Sequence, residues 1–462
     1  MTAPDTSLAA LTVDTCIVGD DPGGHAVALA LVAGGLSVAL VRVPRPGPGG
    51  QEFGGHELAR RLAALRDIDQ AHGWAAAMRR IAEANRDTAT REHPRRLAAA
   101  GIRVVEGEAR FIGPRSLAAG GLAITARRFV LATGSAEAPS PWPDLPAGRV
   151  LTPETIWELT AVPTSLAVIG SDGTAAALAQ AFRRFGATVS LFATGGLLPG
   201  LHPDRSHALR DRLVAEGIDV FEDAEVSAVQ PDGEGLAVTA TRGGDRDRLR
   251  VSHVLHVGDR RPVLDGLDLD AAGIARDGAG LRVDSGLRTS NRRVLALGDV
   301  SGGADPGLSL RQAPALAAAL LFNRAVGVSD VMPVMAVPTR PALIEIGLSE
   351  TQVRAKDRSA RLLRLPLAES AAPGAGRGHI ALVLSGAGKV LGAGIVADNP
   401  EPLVGPLALA ISRQLSVQDL AAIQLPYPAV SDVIGKAVAP IIAARLSNHW
   451  TRRIIRMVRM VG

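Results

Sequence analysis

Two stretches of the chain alternate in the same way: an apolar strand, a glycine-bearing turn, an apolar helix and a second apolar strand. The first starts at Thr12, turns through Gly19-Asp20-Asp21-Pro22-Gly23-Gly24, continues as an Ala/Leu-rich helix and ends in Ser37-Val38-Ala39-Leu40-Val41. The second starts at Ser165-Leu166-Ala167-Val168-Ile169 and turns through Gly170-Ser171-Asp172-Gly173-Thr174-Ala175. A helix is expected over residues 176–185 and a strand over 188–192. This order is that of a dinucleotide-binding unit. Either turn alone equally suits a plain strand-to-helix connection; two in one chain are more specific.

Further on, Phe129-Val130-Leu131-Ala132-Thr133-Gly134-Ser135 reads as a strand entering a turn of small residues. Arg293-Val294-Leu295-Ala296-Leu297-Gly298-Asp299-Val300 repeats that logic and sets a carboxylate at a strand end. Pro341-Ala342-Leu343-Ile344-Glu345-Ile346-Gly347 opens a different region. There, His379-Ile380-Ala381-Leu382-Val383-Leu384 and Val390-Leu391-Gly392-Ala393-Gly394-Ile395-Val396 predict antiparallel strands. Helices are expected over 402–414 and from Ser431 onward.

Composition narrows the classes. At 462 residues the length suits about three domains. Aromatic residues are 3% of the chain while apolar residues are 47%, so the cores must be aliphatic. The formal charge is +4 with both signs interspersed, which argues against a nucleic-acid partner. No basic stretch followed by an apolar core opens the chain, and the longest apolar run is broken by glycine, so a cytoplasmic protein is expected. Cys16 is the single cysteine, in an apolar strand, and no intrachain disulfide can form.

The segment Gly49-Gly50-Gln51-Glu52-Phe53-Gly54-Gly55-His56-Glu57-Leu58 stands where flavin disulfide reductases carry a Gly-Gly-x-Cys-x4-Cys active site. Further motifs follow in order: Gly107-Glu108-Ala109-Arg110-Phe111, Arg260-Arg261-Pro262, Asp284-Ser285-Gly286-Leu287-Arg288-Thr289-Ser290-Asn291 and Pro426-Tyr427-Pro428-Ala429-Val430-Ser431-Asp432. Over nearly its whole length the chain resembles the FAD-dependent pyridine nucleotide-disulfide oxidoreductases, the family of dihydrolipoamide dehydrogenase, glutathione reductase and mercuric reductase. The resemblance implies an α/β fold with two Rossmann-like dinucleotide-binding domains, for FAD and NAD(P), plus a C-terminal α+β dimerisation domain. Residues 1–150 and 271–335 would form the FAD domain, 151–270 the NAD(P)-like domain and 336–440 the dimerisation domain, with a basic amphipathic tail over 441–462. A homodimer is implied.

Carried over by position, the FAD site comprises Gly19, Gly23, Gly24, Thr133, Gly134, Gly298 and Asp299. Tyr427 takes the place of the acid-base histidine of disulfide-reducing relatives, as in mercuric-reductase-like members, and Asp432 that of its partnering glutamate. Tyr427 and Asp432 are thus the candidate catalytic pair; a buried ring at a dimer interface is the competing reading of Tyr427.

The departures matter as much. Both redox cysteine positions hold glutamate, Glu52 and Glu57, and a carboxylate cannot exchange with a disulfide. Asp21 replaces the middle glycine of the first turn; it either crowds the pyrophosphate or caps the helix, and capping is the preferred reading. Arg42 stands where an acid should meet the adenosine ribose, and it could pair with Asp21. In the second turn Asp172 and Ala175 replace glycines, the following strand ends without an acid, and Ala177 replaces a family glutamate. NAD(P) is therefore not expected to bind productively. The family lysine near the flavin is missing, with Arg61 the nearest replacement; lysine occurs only at 356, 389 and 436. Glu52, His56 and Glu57 could be imagined as a metal site, but solvated carboxylates and no metal are expected.

Two functional readings follow: a divergent FAD-binding protein with at most non-thiol electron transfer, or a cofactor-free pseudoenzyme acting as a dimeric binding scaffold. A third possibility is peripheral membrane contact through the tail, where Arg452, Arg456 and Arg459 recur at helical spacing while Ile454, Met457, Val458 and Val461 face elsewhere; packing of the tail on the dimer is the equal alternative.

Overall fold

The computed structural model describes residues 8–43, 55–66, 73–91, 94–146, 148–278, 280–302, 305–324, 327, 331–370, 372, 376, 378–425, 427–436, 438–439 and 449–461. Two compact units emerge: residues 1–170, 181–192 and 224–331, and residues 171–180, 193–223 and 332–462.

The first unit is built on strands β1 (Ala9–Val18), β2 (Val38–Arg42), β3 (Arg103–Glu106), β4 (Ala109–Gly113), β5 (Ser116–Ala119) and β6 (Leu122–Leu131) in the order β3-β2-β1-β6-β5-β4, with Val294–Ala296 also pairing on β6. β1, β2, β3, β6 and Val294–Ala296 run parallel, while β4 and β5 return antiparallel. The last four residues of β1, 15–18, are all buried, as befits a central parallel strand covered on both faces. Helix α1 (Pro22–Ala33) is apolar around most of its circumference because it lies against both the sheet and the helix Leu308–Phe322. Helix α2 (Gly55–Arg66) follows the undescribed segment 44–54.

The same unit holds a second parallel set, with Thr188–Ala193 and His253–His256 flanking Ser165–Ile169. The antiparallel strands Glu225–Asp232, Gly235–Arg242 and Asp245–Val251 form a separate meander. Two parallel strand–helix arrangements in one chain make the mixed α/β, Rossmann-like architecture that the patterning implied.

In the second unit, a five-stranded antiparallel sheet contains Val334–Val337, Ala342–Gly347, Val390–Ala397, Gly378–Leu384 and Arg361–Pro366, in that spatial order. Ile380, Leu382, Ile395, Leu403 and Leu407 pack its core against the helix Glu401–Ser412. Among the described residues no helix is long and apolar enough to cross a membrane.

Candidate functional site

The turn after β1 is closed by the protein's own side chains. Asp21 is the N-cap of α1, and its Oδ1 accepts from the Gly23 amide at 2.8 Å. The capping reading of Asp21 therefore holds. Its Oδ2 lies 3.3 Å from His56 Nε2, and His56 Nε2 in turn lies 3.1 Å from Ser309 Oγ. Burial by itself would raise the Asp21 pKa, but the hydrogen bond and charge of His56, with bonds from Ser309 and the Gly23 amide, hold it below the usual carboxylate range. A free helix N-terminus invites phosphate. This one already carries an anion.

The glycines of the site are demanded by packing. A Cβ on Gly19 (φ +117°) would lie 2.1 Å from the Ala132 carbonyl oxygen, and one on Gly24 3.1 Å from the Ala132 Cβ. Cβ atoms on Gly23 and Gly298 (φ +74°) would lie 2.6 Å and 2.8 Å from atoms of Ser309. α1, the Gly298 turn and the start of Leu308–Phe322 thus approach to backbone distance, and no side chain fits between them.

Arg42 does not reach Asp21. Its Nη2 lies 2.6 Å from Asp20 Oδ2 and its Nη1 3.2 Å from Glu106 Oε1, while Asp20 Oδ1 lies 2.7 Å from His25 Nε2. The expected Arg42–Asp21 pair is corrected for a simple reason: the Asp21 side chain turns into the helix cap, which leaves Asp20 facing the end of β2.

At the other end of the site, Asp299 Oδ2 accepts from Ser135 Oγ at 2.5 Å, and Arg260 Nε donates to that hydroxyl at 3.0 Å. Burial is the main reason the Asp299 pKa is raised, and the Ser135 bond and the Arg260 charge oppose it. Thr133 Oγ1 donates to the Val263 carbonyl at 2.6 Å, and the Gly134 carbonyl accepts from the Val263 amide at 2.9 Å. Gly55, at the start of α2, comes close to the Asp299 carboxylate. Asp21, His56, Ser309 and Asp299 consequently border one site.

On α2, Glu57 Oε1 accepts from Arg61 Nε at 3.0 Å, and the Arg61 guanidinium lies 5.1 Å over the Trp157 ring. Glu57 is only 19% exposed, so its expected solvation is corrected: an arginine one turn later satisfies the carboxylate. Glu52 lies outside the described residues. Cys16 is fully buried, and burial pushes its thiol up to about 12. It cannot stand in for the absent pair.

The second turn repeats the device. Asp172 Oδ1 accepts from the Ala175 amide at 2.9 Å at the start of the helix Gly173–Arg184. Near the C-terminus Tyr427 is 83% exposed, so the buried ring is not seen in the single chain. Asp432 faces Ser370 Oγ at 2.9 Å and Lys436 Nζ at 3.2 Å.

His56 is the residue whose position sequence reasoning missed. Its neighbours in sequence are Gly55 and Glu57, and its partners Asp21 and Ser309 are distant in the chain, so no local spacing could reveal them.

These features fit FAD unevenly. The buried acid at 299 with the glycine turns around it suits the polyol end of the cofactor. The capped, charged turn at Asp21 does not suit a diphosphate as it stands.

Comparison with known proteins agrees with the fold. A family model described as pyridine nucleotide-disulphide oxidoreductase matches residues 13–319, and the dimerisation-domain model of the same family matches 334–438. Mercuric reductase of Bacillus cereus is 30% identical over 351 residues, which are 73% of this chain and 55% of that protein. Mercuric reductase of Streptomyces lividans is 30% identical over 350 residues, covering 72% of this chain and 73% of that protein. Dihydrolipoyl dehydrogenase 3 of Pseudomonas aeruginosa is 29% identical over 347 residues, with the same coverage. The match thus spans little more than half of the Bacillus protein. The HOCl-induced flavoprotein disulfide reductase RclA of Escherichia coli, solved as a Cu(II) complex, superposes with a TM-score of 0.81 at 22% identity, over 93% of this chain and 100% of that one, a likeness of fold. The chain belongs to the pyridine nucleotide-disulphide oxidoreductase family, whose members are FAD-dependent.

Proposed function

We propose that this protein is an FAD-binding oxidoreductase that moves electrons without a thiol relay. The observation carrying this reading is the state of α2: the position of the second redox cysteine is Glu57, locked to Arg61, and the sole cysteine is buried in β1. Bound flavin supplies two-electron redox chemistry. Asp299, held by Ser135 and Arg260, would hold the polyol end of the cofactor, and Asp21 would oppose its diphosphate, so affinity would be set by the balance between them. Asp172 capping its helix, and the absence of an acid after Phe192, support a protein that does not use NAD(P)H productively. Tyr427 and Asp432 are proposed to act across a homodimer formed through the dimerisation domain, with a cytoplasmic setting.

Measuring flavin per chain in the purified protein, followed by anaerobic addition of NADH, tests the reading. Bound flavin that stays oxidised is expected. A colourless dimer that resists reconstitution would point instead to the cofactor-free scaffold.

The helix His449–Val461 favours a second role. Ile454, Met457, Val458 and Met460 are exposed along it beside Arg453, Arg456 and Arg459, an arrangement suited to peripheral binding on an anionic membrane. Liposome cosedimentation that persists after deletion of residues 448–462 would exclude it.

A further inference from the structure

A second concavity of about 360 Å3 lies at the opposite end of the main sheet from the Asp21 turn. Thr15, which pairs with both Val38 and Arg128, lines it, and Gly19, just past the end of β1, is four residues further on, roughly 13 Å at the rise of a strand. The helix Leu308–Phe322 gives the same separation: Ser309 at its start meets Gly23, whereas Leu320 and Leu321 at its end line the concavity. The pocket is thus independent of the cofactor site.

Its charge is one-sided. Arg127, Arg128, Arg288 and Arg324 line it against a single carboxylate, Asp14. Asp14 is already held by the Ser37 amide at 3.0 Å and the Ser37 hydroxyl at 2.8 Å, and among the described residues it pairs only with Arg127, at 3.6 Å. Among the described residues no carboxylate lies within ion-pair distance of Arg128, Arg288 or Arg324. The C-terminal end of Leu308–Phe322 contributes only about half a negative charge, and its Ala319 carbonyl already accepts from the amides of Asn323 and Arg324. Arg128 feels the crowding: burial, then the charges of Arg293, Arg288 and Arg127, lower its pKa. Guanidinium groups bind phosphate through paired donors, and the leucine-lined wall leaves an apolar face beside them.

We propose that this concavity binds a small phosphorylated molecule bearing two or more phosphate charges, gripped by Arg127, Arg128, Arg288 and Arg324. Filling the site with an anion relieves the mutual repulsion of the arginines, so binding stabilises the fold around β6 as well as recognising the ligand.

The test is calorimetric titration of the full chain with inorganic tripolyphosphate at fixed ionic strength, with sulfate as the control. Saturable binding is expected, at least tenfold weaker in Arg128→Gln/Arg288→Gln, and weakened in the single variant Arg324→Gln, whose residue is exposed and so leaves the fold intact. Flavin content should not change in these variants. Asp21→Gly should alter flavin content and leave the tripolyphosphate isotherm in place, so the two sites fail or succeed separately. Equal affinity in wild type and arginine variants would overturn the proposal. So would binding no tighter than sulfate, or binding confined to long nucleic acid.

Discussion

Asp21 and His56 meet at 3.3 Å across the N-terminus of α1, although one follows the first strand and the other opens α2. The contact keeps an ionised carboxylate where the family fold receives a diphosphate. Two unit charges about 4 Å apart at an effective dielectric near 20 repel by about 4 kcal/mol, or roughly a thousandfold in affinity. His56 offsets part of this. Asp21→Gly is therefore expected to tighten FAD binding by about a hundredfold, while losing only a few tenths of a kcal/mol from the cap. Flavin fluorescence titration of both proteins checks it. Unchanged affinity would shift the defect to the Arg42 end of the turn.

Asp299 makes the opposite contribution. Asp299→Ala removes a charge-assisted bond partner, and a loss of about ten- to a hundredfold in FAD affinity is expected. Reconstitution followed by gel filtration reads the flavin retained per chain. Full retention would mean that Asp299 serves only Ser135.

Glu137 gives a pH signature. Burial, followed by the charge of Glu154, raises its pKa to about 7, and its Oε2 has no hydrogen-bond partner among the described residues. The folded state thus holds a proton that the unfolded chain releases near the ordinary carboxylate value. Stability contributed by this proton is complete below that value and declines as pH rises toward 7, by on the order of 3 kcal/mol in all. Denaturant unfolding at pH 5 and pH 8 should show the decline, and Glu137→Gln should flatten it. A slope that survives the substitution would place its origin elsewhere.

In the second unit the buried Arg205 pairs with the partly buried Glu345, Arg205 Nε donating to Glu345 Oε1 at 2.7 Å with its guanidinium packed on Gly394. Arg205→Ala strands a carboxylate and is expected to cost about 3–5 kcal/mol, whereas Arg205→Ala/Glu345→Ala should recover part of that. Unfolding midpoints of the two variants decide it. Equal losses would show that the pair itself, and not the stranded charge, supplies the stability.

The fold was legible because its determinants are periodic and local. A buried parallel strand, a glycine turn and an apolar helix each leave a mark in a dozen residues, and the stretches 12–41 and 165–192 both carry it. Asp21 was legible as a cap for the same reason, since its partner Gly23 is two residues away. The glycines were readable as obligatory but not for their cause: Gly23 and Gly298 yield to Ser309, a residue far along the chain. Arg42 could be paired with Asp21 because sequence cannot say which of two adjacent aspartates faces the end of β2. Glu57 was expected in solvent because only the fold sets Trp157 beneath Arg61 and shields their pair. His56 stood out only beside Glu52 and Glu57, and nothing in the sequence pointed to its contacts with Asp21 and Ser309.

The most direct test of the central claim is an anaerobic reductive titration of the FAD-loaded protein. A flavin alone accepts two electrons, and a redox-active dithiol would add two more. With Glu57 paired to Arg61 and Cys16 sealed in β1, the endpoint should come at two electrons per chain. An endpoint at four, or a protein that takes up no flavin, would contradict it.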